Sequence, residues 1–210
     1  MLQLTNVTKA YGPRIVLDIR NLTIPQGTHW VQGGNGSGKT TLMRILAGIN
    51  PFEGSVALNS IDLKKEPLAY RKQVSFAEAE PLYPGFLTGR NLVEFVQKIR
   101  NETNKGIQDL TDHFDISHFL PYKTGTYSSG MTKKLSILLA LIGQTNLVLL
   151  DEPLITLESS FLPQLLNILN KRQAKGTSFL ISSHQPFPDS FSVPTGKIIV
   201  KDQSAQLSNT

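Results

Sequence analysis

The chain has 210 residues, which fits one domain of roughly 100–200 residues or a domain carrying an inserted subdomain, and is long enough to bury a core. Lys plus Arg number 21 against 16 Asp plus Glu, a net charge of +5, yet only 18% of residues are charged, below the roughly 25% usual in soluble domains. No apolar run exceeds the six residues 137–142, where a membrane-spanning helix needs about 20, and the opening MLQLTNVTKAYG lacks a basic and apolar leader, so a chain that neither spans a membrane nor is secreted is expected. The absence of cysteine excludes disulfides and thiolate metal sites, in keeping with a reducing cytoplasm, and 16 Gly with 12 Pro point away from collagen and disorder.

Alternating apolar residues at Leu2-Leu4, Ile15-Leu17-Ile19 and Leu22-Ile24 predict short strands, broken at Gly12-Pro13 and Pro25-Gln26-Gly27. Trp30-Val31 leads into a glycine-rich loop at 33–38, and residues 39–47 predict a helix closed by Gly48, with Pro51 beyond it. Continuous apolar segments at 74–77, 147–150 and 179–181, separated by helical stretches, predict a parallel sheet covered on both faces. Between the first two of these lies a block with helical patterns at 91–100, 107–114 and 135–142, read as an inserted helical subdomain. The last helix, LSILLALIG, is apolar all round and is expected to be buried. The tail after Lys201, DQSAQLSNT, is polar and is expected to fray.

Gly33-Gly34-Asn35-Gly36-Ser37-Gly38-Lys39-Thr40 matches G-x-x-x-x-G-K-[ST] and stands where a strand turns into a helix. Glycines let backbone N–H groups converge on phosphate oxygens, and the following helix offers its unpaired N–H groups and positive dipole end to the same anion. Lys39 is expected to hold the β- and γ-phosphates, and Thr40, followed by Thr41, to supply a hydroxyl to Mg²⁺. The pattern points to a nucleoside triphosphate site and leaves open how the energy is used.

Leu147-Val148-Leu149-Leu150-Asp151-Glu152-Pro153 is an apolar strand ending in two carboxylates, an unfavourable place for acids without a purpose. Asp151 fits the Mg²⁺-facing acid of such sites. Glu152, one residue on, is suited to take a proton from water attacking the γ-phosphate. Tyr127-Ser128-Ser129-Gly130-Met131-Thr132-Lys133-Lys134 precedes the apolar helix, and by itself Ser-Ser-Gly there is only a plausible cap. His113 and His118, beside Asp112 and Asp115, lack further convergent ligands and are read as a solvated helix and turn.

Taken in order, these segments resemble the nucleotide-binding subunit of ATP-binding cassette (ABC) transporters, from Tyr11 to about Lys197. The resemblance implies an α/β P-loop NTPase core with a mostly parallel sheet, an antiparallel N-terminal β subdomain and an inserted helical subdomain. It makes 1–210 a single ABC ATPase domain, with 1–84 and 146–210 as catalytic core and 85–145 as helical subdomain. It makes YSSGM the signature motif, so that Ser128, Ser129 and Gly130 meet the γ-phosphate of the ATP held by a second subunit packed head to tail. It also implies that His184 is the switch histidine contacting the γ-phosphate and that Tyr11 stacks on adenine. ATP and Mg²⁺ are the implied cofactors. The implied partners are a separate transmembrane permease subunit and a second ATP-binding subunit, a homodimer being favoured because both half-sites look competent. The implied location is cytoplasmic, peripheral on the cytoplasmic face of the membrane.

Four positions depart from the family pattern. Glu78 stands where glutamine is usual, and either ligates the metal directly or is held away until the dimer closes. Ser129 and Met131 replace the commoner Gly and Gln of the signature, a variation that resembles exporters with separate membrane subunits. Glu158 replaces an aspartate that helps join the half-sites. A soluble ABC-type ATPase acting on ribosomes or DNA is the alternative, but such proteins carry paired cassettes or long insertions, and the basic pairs here (Lys64-Lys65, Arg71-Lys72, Lys133-Lys134) are scattered, so no nucleic-acid partner is expected. A GTPase reading fails because Asn170-Lys171 lacks the acid that reads guanine.

Overall fold

β1 (Leu2–Tyr11) and β2 (Arg14–Ile24) pair antiparallel across a turn at Gly12, whose φ of 58° suits a residue without a side chain. Both run longer than the alternating stretches predicted, because polar residues such as Thr5, Thr8 and Asp18 occupy the outer face within the same ladder. The structure, a computed structural model, describes residues 1–154, 160–183 and 195–208. β3 (Thr28–Gln32) feeds the glycine-rich loop and α1 (Lys39–Leu46), which ends at Ala47 with Gly48 at φ 73°. β4 (Glu53–Leu58) and the short β5 (Ile61–Asp62) return to the hairpin, followed by α2 (Pro67–Lys72) and β6 (Val74–Ala77). Next come α3 (Gly89–Arg100), α4 (Asn104–His113) and α5 (Ser129–Leu141). β7 (Leu147–Leu150), α6 (Phe161–Gln173), β8 (Ser178–Ser182), β9 (Gly196–Lys201) and β10 (Ser204–Ser208) complete the described chain.

The described strands form two sheets, one of order β2-β1-β4-β5 with antiparallel pairs, the other of order β10-β9-β3-β8-β7-β6. In the second sheet all neighbours from β9 to β6 are parallel, and only β10 runs against β9. The α/β fold with a mostly parallel sheet and an antiparallel β subdomain therefore stands as the sequence implied.

The period of two along a strand divides the interior into two clusters. Leu147, Leu149 and Leu180 face a cluster with the hairpin and α1, including Val7, Leu17, Leu42 and Ile45. Val148, Leu150, Phe179 and Ile181 face the other cluster, with Phe114, Leu135, Leu138, Phe161 and Leu165. Both faces of β7 and β8 are thus covered, which is why their sequences read as unbroken apolar runs. α5 packs on β6, β7 and α3, so the helical block shares its core with the sheet, and its buried residues span the apolar run predicted at 135–142.

Two expectations change. The tail after Lys201 is not frayed as far as Ser208: Asp202 and Gln203, at φ 49° and 63°, turn the chain into β10, which pairs along β9 with Ala205 buried. Ala205 and Leu207 are the only apolar residues of that strand, and both pack against the core. His113 is half-buried, its Nε2 donating to the Gln164 carbonyl at 2.8 Å, so it ties α4 to α6 and is not a solvated residue.

Candidate nucleotide site

The strand order puts the ends of β3, β8 and β7 side by side at one edge of the sheet, with β8 between the other two. In an open parallel sheet that carboxyl edge is where ligands bind. The loop after β3 and the acids after β7 are brought together there across about 110 residues of chain.

Gly36 and Gly38 have φ of 73° and 106°, conformations that L side chains rarely adopt. A Cβ on Gly33 would overlap the Val200 carbonyl and the Ser37 hydroxyl. The loop therefore folds tightly on itself, with the Ser37 N–H donating to the Gly34 carbonyl at 3.2 Å. The first N–H groups of α1 have no carbonyl within the helix, so they and the dipole face the loop. The Lys39 ammonium is almost buried and donates to the Gly33 and Gly34 carbonyls at 2.8 and 3.2 Å, folded back across the cradle an anion would fill. Asn35, Gly36, Ser37, Gly38, Lys39, Thr40 and Thr41 line a cleft of ≈ 350 Å³ with Val16, Ala79, Glu80 and Glu152.

Asp151 and Glu152 are 1% and 6% exposed. Ser182, at the end of β8, organises them: its hydroxyl donates to Asp151 Oδ1 at 2.5 Å and accepts from the Glu152 N–H at 2.8 Å. Glu152 has a φ of 47°, a strained conformation for a non-glycine residue, of the kind held only where surrounding contacts over-determine it. Asp151 Oδ2 and the Ser37 hydroxyl are buried with no partner among the described residues. Asp151 itself is not in the cleft wall, but its orphaned carboxylate oxygen, next to Glu152, and the Thr40 hydroxyl in the wall are oxygen donors of the kind a hard divalent cation such as Mg²⁺ takes.

Glu78 is not in the wall of this cleft. Its Oε1 stands 3.3 Å from Arg44 Nε on α1, and Glu80 lines the cleft instead. The described residues contain no cluster of three or more acid or histidine side chains that could hold a metal. Tyr11 is likewise outside the cleft, half-exposed beside the hairpin turn, with its hydroxyl accepting from Asn50 at 2.9 Å and Lys9 Nζ 4.8 Å from its ring centroid. Val16, which the sequence did not mark, lies in the wall. His184 and Glu158 lie outside the described residues.

The signature segment opens α5. Ser128 is the N-cap, its hydroxyl accepting from the Met131 N–H at 3.2 Å. Ser129 lines a second cleft of ≈ 410 Å³ with Tyr127, Thr132, Lys133, Ala79, Glu80 and Pro81. None of Ser128, Ser129 and Gly130 lines the phosphate cleft of the same chain. Ala79 and Glu80 line both clefts, so the loop after β6 is their common wall. Lys133, 3% exposed, sends its ammonium into that wall, and burial pushes its pKa down to about 8 while Asp151, Glu152 and Glu80 pull it upward. Neither Ser182 nor Lys133 could be singled out from sequence, because their partners lie far along the chain.

Fold and cleft together define a P-loop nucleotide-binding cassette. The ABC transporter family matches residues 17–155, and the chain belongs to that family as an ATP-binding subunit. It is 32% identical over 160 residues to a protein named cytochrome c biogenesis ATP-binding export protein CcmA from Legionella pneumophila (strain Lens), covering 75% of this chain and 79% of that one. It is 30% identical over 186 residues to lantibiotic transport ATP-binding protein SrtF of Streptococcus pyogenes, covering 88% and 80%. Among solved structures, an ATP-binding subunit of an ABC transporter superposes with a TM-score of 0.89 at 21% identity, covering 100% of this chain and 90% of the other. A dimeric ATP-binding cassette in a post-hydrolysis state with ADP and Pi superposes with a TM-score of 0.82 at 21% identity, covering 100% and 98%.

Proposed function

We propose that the chain is a Mg²⁺-dependent ATPase that powers a transporter whose membrane-spanning subunits are separate chains. The observation that carries this reading is the placement of Glu152 in the same cleft as Lys39 and Thr40, with Asp151 beside it and buried. Thr40 and Asp151 would hold Mg²⁺, which would supply positive charge to offset that of the phosphates. Lys39 leaves the Gly33 and Gly34 carbonyls to hold the β- and γ-phosphates, and the N–H groups of residues 36–41 converge on the same oxygens. Glu152 takes the proton of the attacking water. His184 contacts the γ-phosphate, and Tyr11 offers an exposed ring to the base.

The signature residues Ser128, Ser129 and Gly130 serve the ATP of a second subunit packed head to tail. That none of the three lines the phosphate cleft of its own chain supports this reading, in which one copy holds two half-sites. Two copies of this chain form the dimer, at the cytoplasmic face of the membrane. No described helix is long and apolar enough to cross a membrane, and the reading assigns the membrane-spanning part to a separate permease chain. Leu82, Phe86, Phe95, Ile99 and Tyr122, all more than half exposed around the loop after β6 and α3, are apolar surface of the kind a permease helix would cover. The core is 1–84 and 146–210 and the helical subdomain 85–145, and the name of one relative, an ATP-binding export protein, favours export.

The test is Glu152→Gln. Removing the general base is expected to lower turnover about 10²- to 10⁴-fold while ATP-dependent dimerisation persists. Unchanged turnover would overturn the role of Glu152, and failure to copurify with a multi-spanning membrane protein would overturn the transport role.

A further inference from the structure

Lys133 and Lys134 are neighbours in sequence and differ in everything else. Lys134 lies half-buried with its Nζ 5.5 Å from the Phe161 ring centroid. Lys133 points the other way, into the sheet edge, and its ammonium donates to the carbonyls of Glu78 at 3.0 Å, Ala79 at 2.6 Å and Asp151 at 3.1 Å. All three protons of the ammonium are used. The acceptors come from the ends of β6 and β7, which are paired strands, with the Asp151 N–H donating to the Ala77 carbonyl at 2.9 Å.

The Asp151 carbonyl belongs to the peptide group that joins Asp151 to Glu152. The N–H of that same group donates to Ser182 Oγ at 2.8 Å. The peptide plane is therefore gripped at its oxygen by α5 and at its nitrogen by β8. The next rotatable bond is the N–Cα bond of Glu152, whose φ of 47° is the strained one. A peptide gripped on one side only is free to turn and relax that strain, and the carboxylate would swing with it.

We propose that Lys133 is a positioning residue for ATP hydrolysis: its three carbonyl bonds fix the Asp151–Glu152 peptide to the signature helix and to the Glu78–Ala79 loop, and thereby aim Glu152 at the phosphate cleft. The inference rests on the hydrolysis proposed above. It gives the loop a physical route to the catalytic carboxylate, because Glu78 is held by α5 through its carbonyl and by Arg44 of α1 through its carboxylate. A displacement of the loop by a docked partner is transmitted through one ammonium group to Glu152 and to the start of α5.

The experiment compares the full chain with Lys133→Met, which keeps the length and loses every donor, and with Lys133→Gln and Lys133→Arg, which keep donors. ATP turnover at saturating Mg-ATP, ADP affinity and the thermal midpoint are measured for each. The Met variant is expected to lose at least about ten-fold in kcat while ADP affinity changes by no more than about two-fold, the pattern of an interaction needed in the transition state and not for binding. The Gln or the Arg variant is expected to recover at least about three-fold of that loss, because donors and not packing are restored. The inference is overturned if the folded Met variant turns over within about two-fold of the wild type, if the loss falls on ADP affinity with kcat intact, if all three variants are equally impaired, or if none folds. A wild-type chain without turnover overturns the hydrolysis reading along with it, whereas an active wild type with an unaffected Met variant overturns this inference alone.

Discussion

Ser182→Ala removes one oxygen atom that serves two buried groups. Ser182 is 0% exposed, so water from the cleft cannot take its place. Its hydroxyl donates to Asp151 Oδ1 at 2.5 Å and accepts from the Glu152 N–H at 2.8 Å. The other Asp151 oxygen already has no partner among the described residues, so the variant leaves the whole carboxylate unbonded there, together with one backbone N–H. Leaving a buried donor or acceptor unsatisfied costs about 1–3 kcal/mol each, more for a charged group, so the loss is about 2–6 kcal/mol. For a domain of this size that is a fall of roughly 4–24 °C in unfolding midpoint. Thermal unfolding followed by circular dichroism, at one pH and without nucleotide, reads it directly. A second consequence is kinetic: the Asp151–Glu152 peptide loses one of its two grips, and kcat is expected to fall with nucleotide affinity retained. A midpoint within about 2 °C of the wild type would refute the accounting, since it would mean that these groups find other partners.

Two further outcomes follow from the geometry. His29, 1% exposed in β3, has its pKa held below 6.5 by burial, the Gly27 backbone pulling less strongly upward. The unfolded chain then takes up this proton first, so the contribution to stability is full above 6.5 and is lost as pH falls through the lowered folded value. His29→Leu is expected to flatten the stability curve just below that pH, and parallel curves for the two proteins would refute it. Gly38→Ala puts a Cβ at φ 106°, 3.0 Å from Leu17 Cδ2. The strain of about 1–3 kcal/mol falls on the phosphate cradle, and ADP affinity measured by calorimetry should drop about ten-fold or more; an unchanged isotherm would refute it.

The parts of the site that were legible in the sequence are those whose chemistry needs contiguous residues. Gly36, Gly38 and Lys39 act together because successive N–H groups and one following helix make the cradle, so they must be neighbours in the chain. The apolar runs of β7 and β8 were legible for a related reason, because a strand covered on both faces has no polar alternation. The outer strands were harder. β1 and β2 carry polar residues on one face, which shortened the predicted stretches, and β10 buries only Ala205 fully, too little to outweigh its polar composition. Tyr11 and Glu78 were placed by resemblance, and the structure sets both outside the cleft wall, with Val16 and Glu80 inside it.

Residue chemistry and short-range spacing thus established a phosphate loop and an acidic strand end, and the resemblance of the ordered motifs to a known family added the cassette. The tertiary structure decided which lysine of the pair Lys133-Lys134 is buried, which serine joins Asp151 to Glu152, and which acid faces Arg44. Those contacts reach along the chain from the 18 residues between Lys133 and Asp151, through the 30 between Glu152 and Ser182, to the 55 between Lys133 and Glu78. Local pattern carries no information on such contacts. They exist because parallel strand order sets the ends of β3, β8, β7 and β6 along one edge and because α5 crosses beneath it, an arrangement made only when the two apolar clusters close.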